Sequence, residues 1–185
     1  MPSPSCQQNP RPPAGPALIA DLALPAVPVV REYLLNTSFI AARVRLVSLI
    51  SDGSLIAASI EAYASSLLKL AGRVPADALA SSALIAVRIG EPTDAPGLVA
   101  LPLRWHATGT GGQPVRVLGA DLTLIAGRAG RTLLQLHGAF RLPFVLPRAD
   151  AGRDRVAQRA AAASVTALVS QVRQHLAVPA GSTGT

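Results

Sequence analysis

The sequence predicts an α+β domain in which an antiparallel β-sheet meander packs on a long C-terminal helix, with two short N-terminal helices ahead of the sheet. Three observations lead there. Residues 83–140 hold four segments in which apolar and polar residues alternate, the period of a strand with one buried face. Residues 153–176 are alanine-rich, with bulkier apolar groups at spacings of three and four, the stripe of a helix that covers a sheet. Residues 39–70 carry helical spacing interrupted once, at Ser51, Asp52 and Gly53.

Residues 1–16 include Pro2, Pro4, Pro10, Pro12, Pro13 and Pro16 with almost no bulky apolar group. Such a segment cannot offset its ordering entropy, so a disordered Pro-rich tail is expected. Residues 179–185 read as a second disordered tail. Residues 17–178 are expected to form a single domain, because 185 residues suffice for one ordinary core and neither a repeat nor a linker divides them.

The stretch Val29 to Thr37, VVREYLLNT, mixes β-branched and aromatic residues and reads either as an edge strand or as the first turns of a helix. From Phe39 to Ile50, apolar residues at Phe39, Ile40, Val44, Val47 and Leu49 or Ile50 favour a helix. After the Asp52–Gly53 turn, Ser54 is expected to cap a second helix that runs through Leu55, Ile56, Ala58, Ile60, Tyr63, Leu67, Leu68 and Leu70 and is closed by Gly72 and Pro75.

The four strands can be aligned through their turns, since antiparallel neighbours pair in a fixed register. Turn residues from Glu91 to Gly97 set Val87 opposite Leu101 and Ile89 opposite Val99; the turn at Gly109 to Pro114 sets Leu103 opposite Leu118 and Leu101 opposite Ala120. The turn at Gly127 to Gly130 sets Ala120 opposite Leu136 and Leu122 opposite Leu134. Val87, Leu101, Ala120 and Leu136 would then form one transverse apolar row. A slip of one residue would send a whole apolar set to solvent, so the agreement across the turns carries weight. Arg88, Arg104, His106, Asp121, Thr123, Gln135 and His137 fall on the opposite, wet face. On the last helix, Ala157, Ala161, Val165, Leu168, Val172 and Leu176 form the covering stripe.

The chain is 50% hydrophobic, yet every apolar run is soon broken by Arg, Asp, Glu, Pro or Gly, well short of the ~20 residues that cross a bilayer. No integral membrane segment is expected. The start lacks a charged region followed by an apolar stretch, so a cytoplasmic location is the expectation. Cys6 is the only cysteine, which excludes an internal disulfide and a thiolate zinc site. The net charge of +7 comes almost wholly from arginine, Lys69 being the only lysine, and forms no clustered stripe along the sequence, so no nucleic-acid partner is expected.

The run LPLRWHATGTGGQPVRVLGADLTLIAGRAGRTLLQLHGAFRLP, followed by DRVAQRAAAASVTALVSQV, resembles the C-terminal half of small bacterial proteins of the START-like helix-grip superfamily, also called SRPBCC. The shared features are Pro102, Leu103, Arg104 and Trp105 at the end of one strand, Pro114 and Val115 at the start of the next, the hairpin from Gly130 to Leu134, Gly138 with Phe140, and a helix start at Asp154 and Arg155. Phe39 to Leu70 resembles the paired short helices of that fold. The superfamily's sheet exceeds the strands countable here, which implies either a further strand within Val29 to Thr37 or a reduced sheet. The resemblance implies a cavity between a curved sheet and the C-terminal helix, used in the superfamily for lipids, sterols or aromatic polyketides. It does not decide between a binder and a cyclase, because fold alone does not assign chemistry.

The expected function is therefore the binding of an apolar small molecule, without a cofactor, by Leu101, Leu103, Trp105, Arg116, Leu118, Leu122, Leu134 and Leu136. Trp105 and Arg116 fall opposite each other in this alignment, which would set an indole and a cation at a cavity rim; the plainer reading is a core tryptophan packed by an arginine stem. A cyclase-like enzyme would need inward polar groups such as Arg116 or Tyr63. A packed interaction protein without a ligand is the remaining alternative. No Ser, His and Asp set stands out, and the three histidines, His106, His137 and His175, are too dispersed for a shared metal. The glycines at 109, 111 and 112 lie between strands, as a hairpin turn does and a phosphate loop does not. The alanines of the last helix either let it sit close on the sheet or leave room for a ligand.

Overall fold

The computed structural model describes residues 26–70, 76–109, 112–144 and 152–177. The expected tails, Cys6, Gly72 and Pro75 lie outside the described residues.

The ambiguous stretch near Val29 is a strand, β1 (Val27–Leu35), that buries Val29 and Leu35 and turns Val30 and Leu34 outward. Ser38 then caps α1 (Phe39–Ser51): its backbone is extended and its Oγ accepts the Ala41 N–H at 3.3 Å. This helix buries Ala42, Leu46 and Leu49, while Ile40, Val44 and Val47, part of the apolar spacing that predicted it, are 76%, 61% and 55% exposed. Helical spacing is met on two faces of α1 at once. Periodicity therefore marks the helix without telling which side docks.

At the break before α2 (Ser54–Leu68), Gly53 takes a left-handed φ of 77°, a conformation that glycine adopts without a Cβ penalty. The Asp52 carboxylate accepts the Ser54 N–H at 2.8 Å, so Ser54 is the first helical residue rather than the expected cap. A short helix that the sequence reading did not anticipate, α3 (Ala76–Ser81), leads into the sheet.

The remaining strands are β2 (Ile85–Ile89), β3 (Thr93–Ala95), β4 (Leu98–Thr108), β5 (Pro114–Ala126) and β6 (Thr132–Phe140). They form a six-stranded sheet in the order β1-β6-β5-β4-β2, with β3 paired to β4 beside that path and every pairing antiparallel. β1 supplies the extra edge strand and β3 occupies part of the expected Glu91–Gly97 turn.

The registers differ from the sequence alignment. Val87 lies opposite Trp105, Leu103 opposite Ala120, and Ala120 opposite Gly138. The shift is four residues between β2 and β4 and two at each of the next two pairings as far as Leu118, an even slip that keeps those side chains on their faces. In place of the expected row, Ile89, Leu103, Ala120, Gly138 and Val29 lie level across the sheet. A β-bulge lies where Trp105 pairs Leu118 but His106 pairs Arg116, leaving Val117 as the extra residue of β5.

Finally, α4 (Arg153–Ala177) buries Ala157, Ala161, Val165, Leu168, Val172 and Leu176, the whole expected stripe. It runs against α2, β1 and α1. Its C-terminal end is anchored from the β1–α1 link and from α1: the Leu176 carbonyl accepts the Thr37 hydroxyl at 3.3 Å and the Arg45 guanidinium. Among the described residues, no helix is long and apolar enough to cross a membrane.

Candidate functional site

Seven of the eight residues expected to line a cavity, namely Leu101, Leu103, Trp105, Leu118, Leu122, Leu134 and Leu136, point to the inner face of the sheet and are 0% exposed. Alternation along β4, β5 and β6 places them there, and the registers bring them together as the pairs Trp105–Leu118, Leu101–Leu122 and Leu122–Leu136. Trp105 meets Tyr63 of α2 edge to face, with ring centroids 6.2 Å apart and planes at 76°. The Tyr63 hydroxyl donates to the Ser82 carbonyl at 2.9 Å, and burial pushes its pKa up, so the phenol stays protonated as a donor.

Arg116 is the exception. The bulge at Val117 turns Arg116 onto the outer face, where it is exposed and stands opposite His106 rather than Trp105. The expected pairing of indole and cation at an inner rim is thus replaced by Trp105 beside Leu118. Of the inward polar groups given as examples for a cyclase-like reaction, Arg116 lies outside and Tyr63 donates to a backbone carbonyl.

Among the described residues, four buried side-chain atoms lack a hydrogen-bond partner: Trp105 Nε1 on the inner face of the sheet, Ser164 Oγ on the buried face of α4, His106 Nδ1 and Gln171 Oε1. A buried donor left unsatisfied costs ~1–3 kcal/mol, so Trp105 Nε1 and Ser164 Oγ each mark a place where an acceptor would be stabilising. One turn before Ser164, Ala160 lines a cavity of about 200 Å³ together with Ser66, Lys69, Leu70, Val156, Arg159 and Ala163. The cavity lies between the C-terminal end of α2 and the first turns of α4, with a mainly apolar wall that includes two cationic residues. Among the alanines of α4, Ala157 and Ala161 are buried in the stripe, while Ala160 and Ala163 border the cavity against α2.

Sequence reasoning did not nominate the α2–α4 cavity. The available signal was the run of small residues on two helices, Ser59, Ala62 and Ser66 on one and Ala160, Ala163 and Ser164 on the other, which leaves space wherever larger neighbours hold the helices apart.

On the outer face, Arg88, Asp121 and His137 are exposed, and Arg104, His106, Thr123 and Gln135 are half-buried. Asp121 lies opposite Pro102, not level with Arg88, and its carboxylate is 3.6 Å from Arg104 Nη1. The pKa of His106 is lowered by burial first and then by Arg88 and Arg116. Gly109 donates its N–H to the Gln113 carbonyl and accepts the Gly112 N–H, each at 2.9 Å, which places Gly109 and Gly112 in the hairpin between β4 and β5; Gly111 lies outside the described residues. No family model, curated protein or solved structure matches the chain.

Proposed function

We propose that the chain is a member of the START-like helix-grip superfamily and holds an apolar small molecule, a lipid, a sterol-like compound or an aromatic polyketide, between the sheet and α4 as a carrier or sensor. The order of elements supports this: a first edge strand, two helices and the short α3, an antiparallel meander that returns beside that strand, and a closing helix. The single observation that carries it is that Trp105 Nε1 and Ser164 Oγ, both in the mainly apolar interior, have no hydrogen-bond partner among the described residues. An acceptor on an apolar ligand would satisfy either donor.

Native mass spectrometry of the purified full chain tests it. The expected result is a co-purifying apolar compound, displaced by an excess of a hydrophobic dye. A chain that emerges empty and binds no such dye would overturn the reading.

A packed interaction protein is the second reading, favoured by the apolar stripe Ile40, Val44 and Val47 that α1 leaves in solvent. The cavity between α2 and α4 points the same way, being smaller than the ~300 Å³ at which small-molecule sites usually begin.

A further inference from the structure

The outer face of the sheet gathers basic groups at one corner. Arg88 on β2 stands directly opposite Arg104 on β4, and His106, two residues along β4, stands directly opposite Arg116 on β5. Ala86 beside His106 and Gly119 beside Arg104 complete the grid. With strands ~4.8 Å apart and same-face residues ~7 Å apart along a strand, all four basic side chains rise from a patch on the order of 10 Å across.

Gly119 is the notch of this patch. A Cβ there would lie 3.4 Å from Arg116 Cδ and 3.8 Å from Arg104 Cδ, so both arginine stems converge over the glycine. Arg104 is held in place by donating to the Leu103 and Ala120 carbonyls at 2.9 and 2.7 Å. Arg88 and Arg116 are exposed and make no hydrogen bond or ion pair to any described residue. His106 Nδ1 is buried without a partner. Like charges placed directly opposite on antiparallel strands are destabilising, and Arg88 against Arg104 is such an opposition, with the Arg116 cation one row away opposite His106.

We propose that Arg88, Arg104, His106 and Arg116 bind the phosphate group of a soluble phosphorylated small molecule. Two unpaired guanidinium groups match the charge of a phosphate dianion, and their planar forks match its oxygen geometry. The limits of the patch favour a compact ligand over a polyanion. The next row across the same face holds Asp121, and the row after it holds Glu32 bound to Gln135 at 2.6 Å, so a longer anion running along the sheet would meet carboxylates. The patch lies on the side of the sheet away from α4, so it stands or falls independently of the apolar ligand.

Calorimetric titration of the full chain with sodium pyrophosphate at low ionic strength tests the site. Saturable one-to-one binding is expected, weakened about tenfold or more in an Arg88→Gln/Arg116→Gln double variant. An Arg128→Gln/Arg131→Gln double variant, which removes the same charge at another sheet corner, should stay within about twofold. Pyrophosphate should also raise the His106 pKa in an imidazole NMR titration assigned with His106→Gln, because a bound anion reverses the field that Arg88 and Arg116 impose. The proposal is overturned by the absence of saturable binding, by equal weakening in both double variants, or by binding to phosphatidic acid vesicles without binding to pyrophosphate.

Discussion

Gly138 shows at the scale of a single residue how an absent side chain sets the spacing of the sheet. A Cβ there would lie 2.2 Å from the Gly119 carbonyl oxygen and 2.5 Å from Ala120 Cα and Cβ, and the first two are backbone atoms that no rotamer change can move aside. Gly138→Ala is therefore expected to destabilise the fold by ~1–3 kcal/mol, the usual range for overpacking, measured as a lower denaturant midpoint with an unchanged slope. An unchanged midpoint would mean that β5 and β6 separate freely at this level. The same region explains the one site residue misplaced by sequence reasoning. In VRVLGADL, Val115 and Val117 alternate with Arg116, but Val117 and Leu118 are then buried consecutively. Strict alternation back from Leu118 sends Arg116 inward; the extra residue at Val117 sends it out. Two adjacent apolar residues in an otherwise alternating strand were the visible trace of the bulge, yet they read equally well as a simple buried pair.

Among elements, the final helix was the most legible and the registers the least. Its stripe from Ala157 to Leu176 follows from spacing alone, because the α-helical period does not depend on what lies beneath it. The strand faces were legible for the same reason, the period of two. Register depends on turn geometry instead: β3 pairs back on β4 through Gly97 at φ 72°, and the turn before β6 holds Ala129 at φ 54°, neither of which composition specifies. The alignment therefore slid by whole pleats and preserved the faces of all the aligned residues except those beyond the bulge, Arg116 among them. The end of α4 offers a sharper test of element docking, because its last carbonyls have no partner within the helix. Thr37 Oγ and the Arg45 guanidinium both donate to the Leu176 carbonyl. Thr37→Val and Arg45→Met, which keep most of each side chain's bulk, should each cost ~0.5–1.5 kcal/mol. The double variant should cost more than the sum, since only then does the carbonyl lose both donors. Strict additivity in a double-mutant cycle of urea unfolding would show that the two bonds do not share this end of the helix.

For the whole molecule, the question is where recognition can occur once the interior is formed. The inner face of β4, β5 and β6 carries buried apolar side chains, whereas α1 presents Ile40, Val44 and Val47 at spacings of four and three, and Ile56 and Ile60 of α2 are 38% and 44% exposed. A helix that buries one apolar stripe and exposes another has a face available for a second chain. If the packed reading holds, sedimentation velocity should show association that grows with protein concentration and is abolished in a Val44→Glu/Val47→Glu double variant. Glutamate is a better helix former than valine, so loss of association in that variant would not come from a weakened α1. A wild-type chain that stays monomeric throughout the concentration range sinks the interaction reading. The substitutions lie on the side of α1 turned away from the core, so they should leave any compound held under α4 in place, and mass spectrometry of the same variant separates the two readings in one preparation.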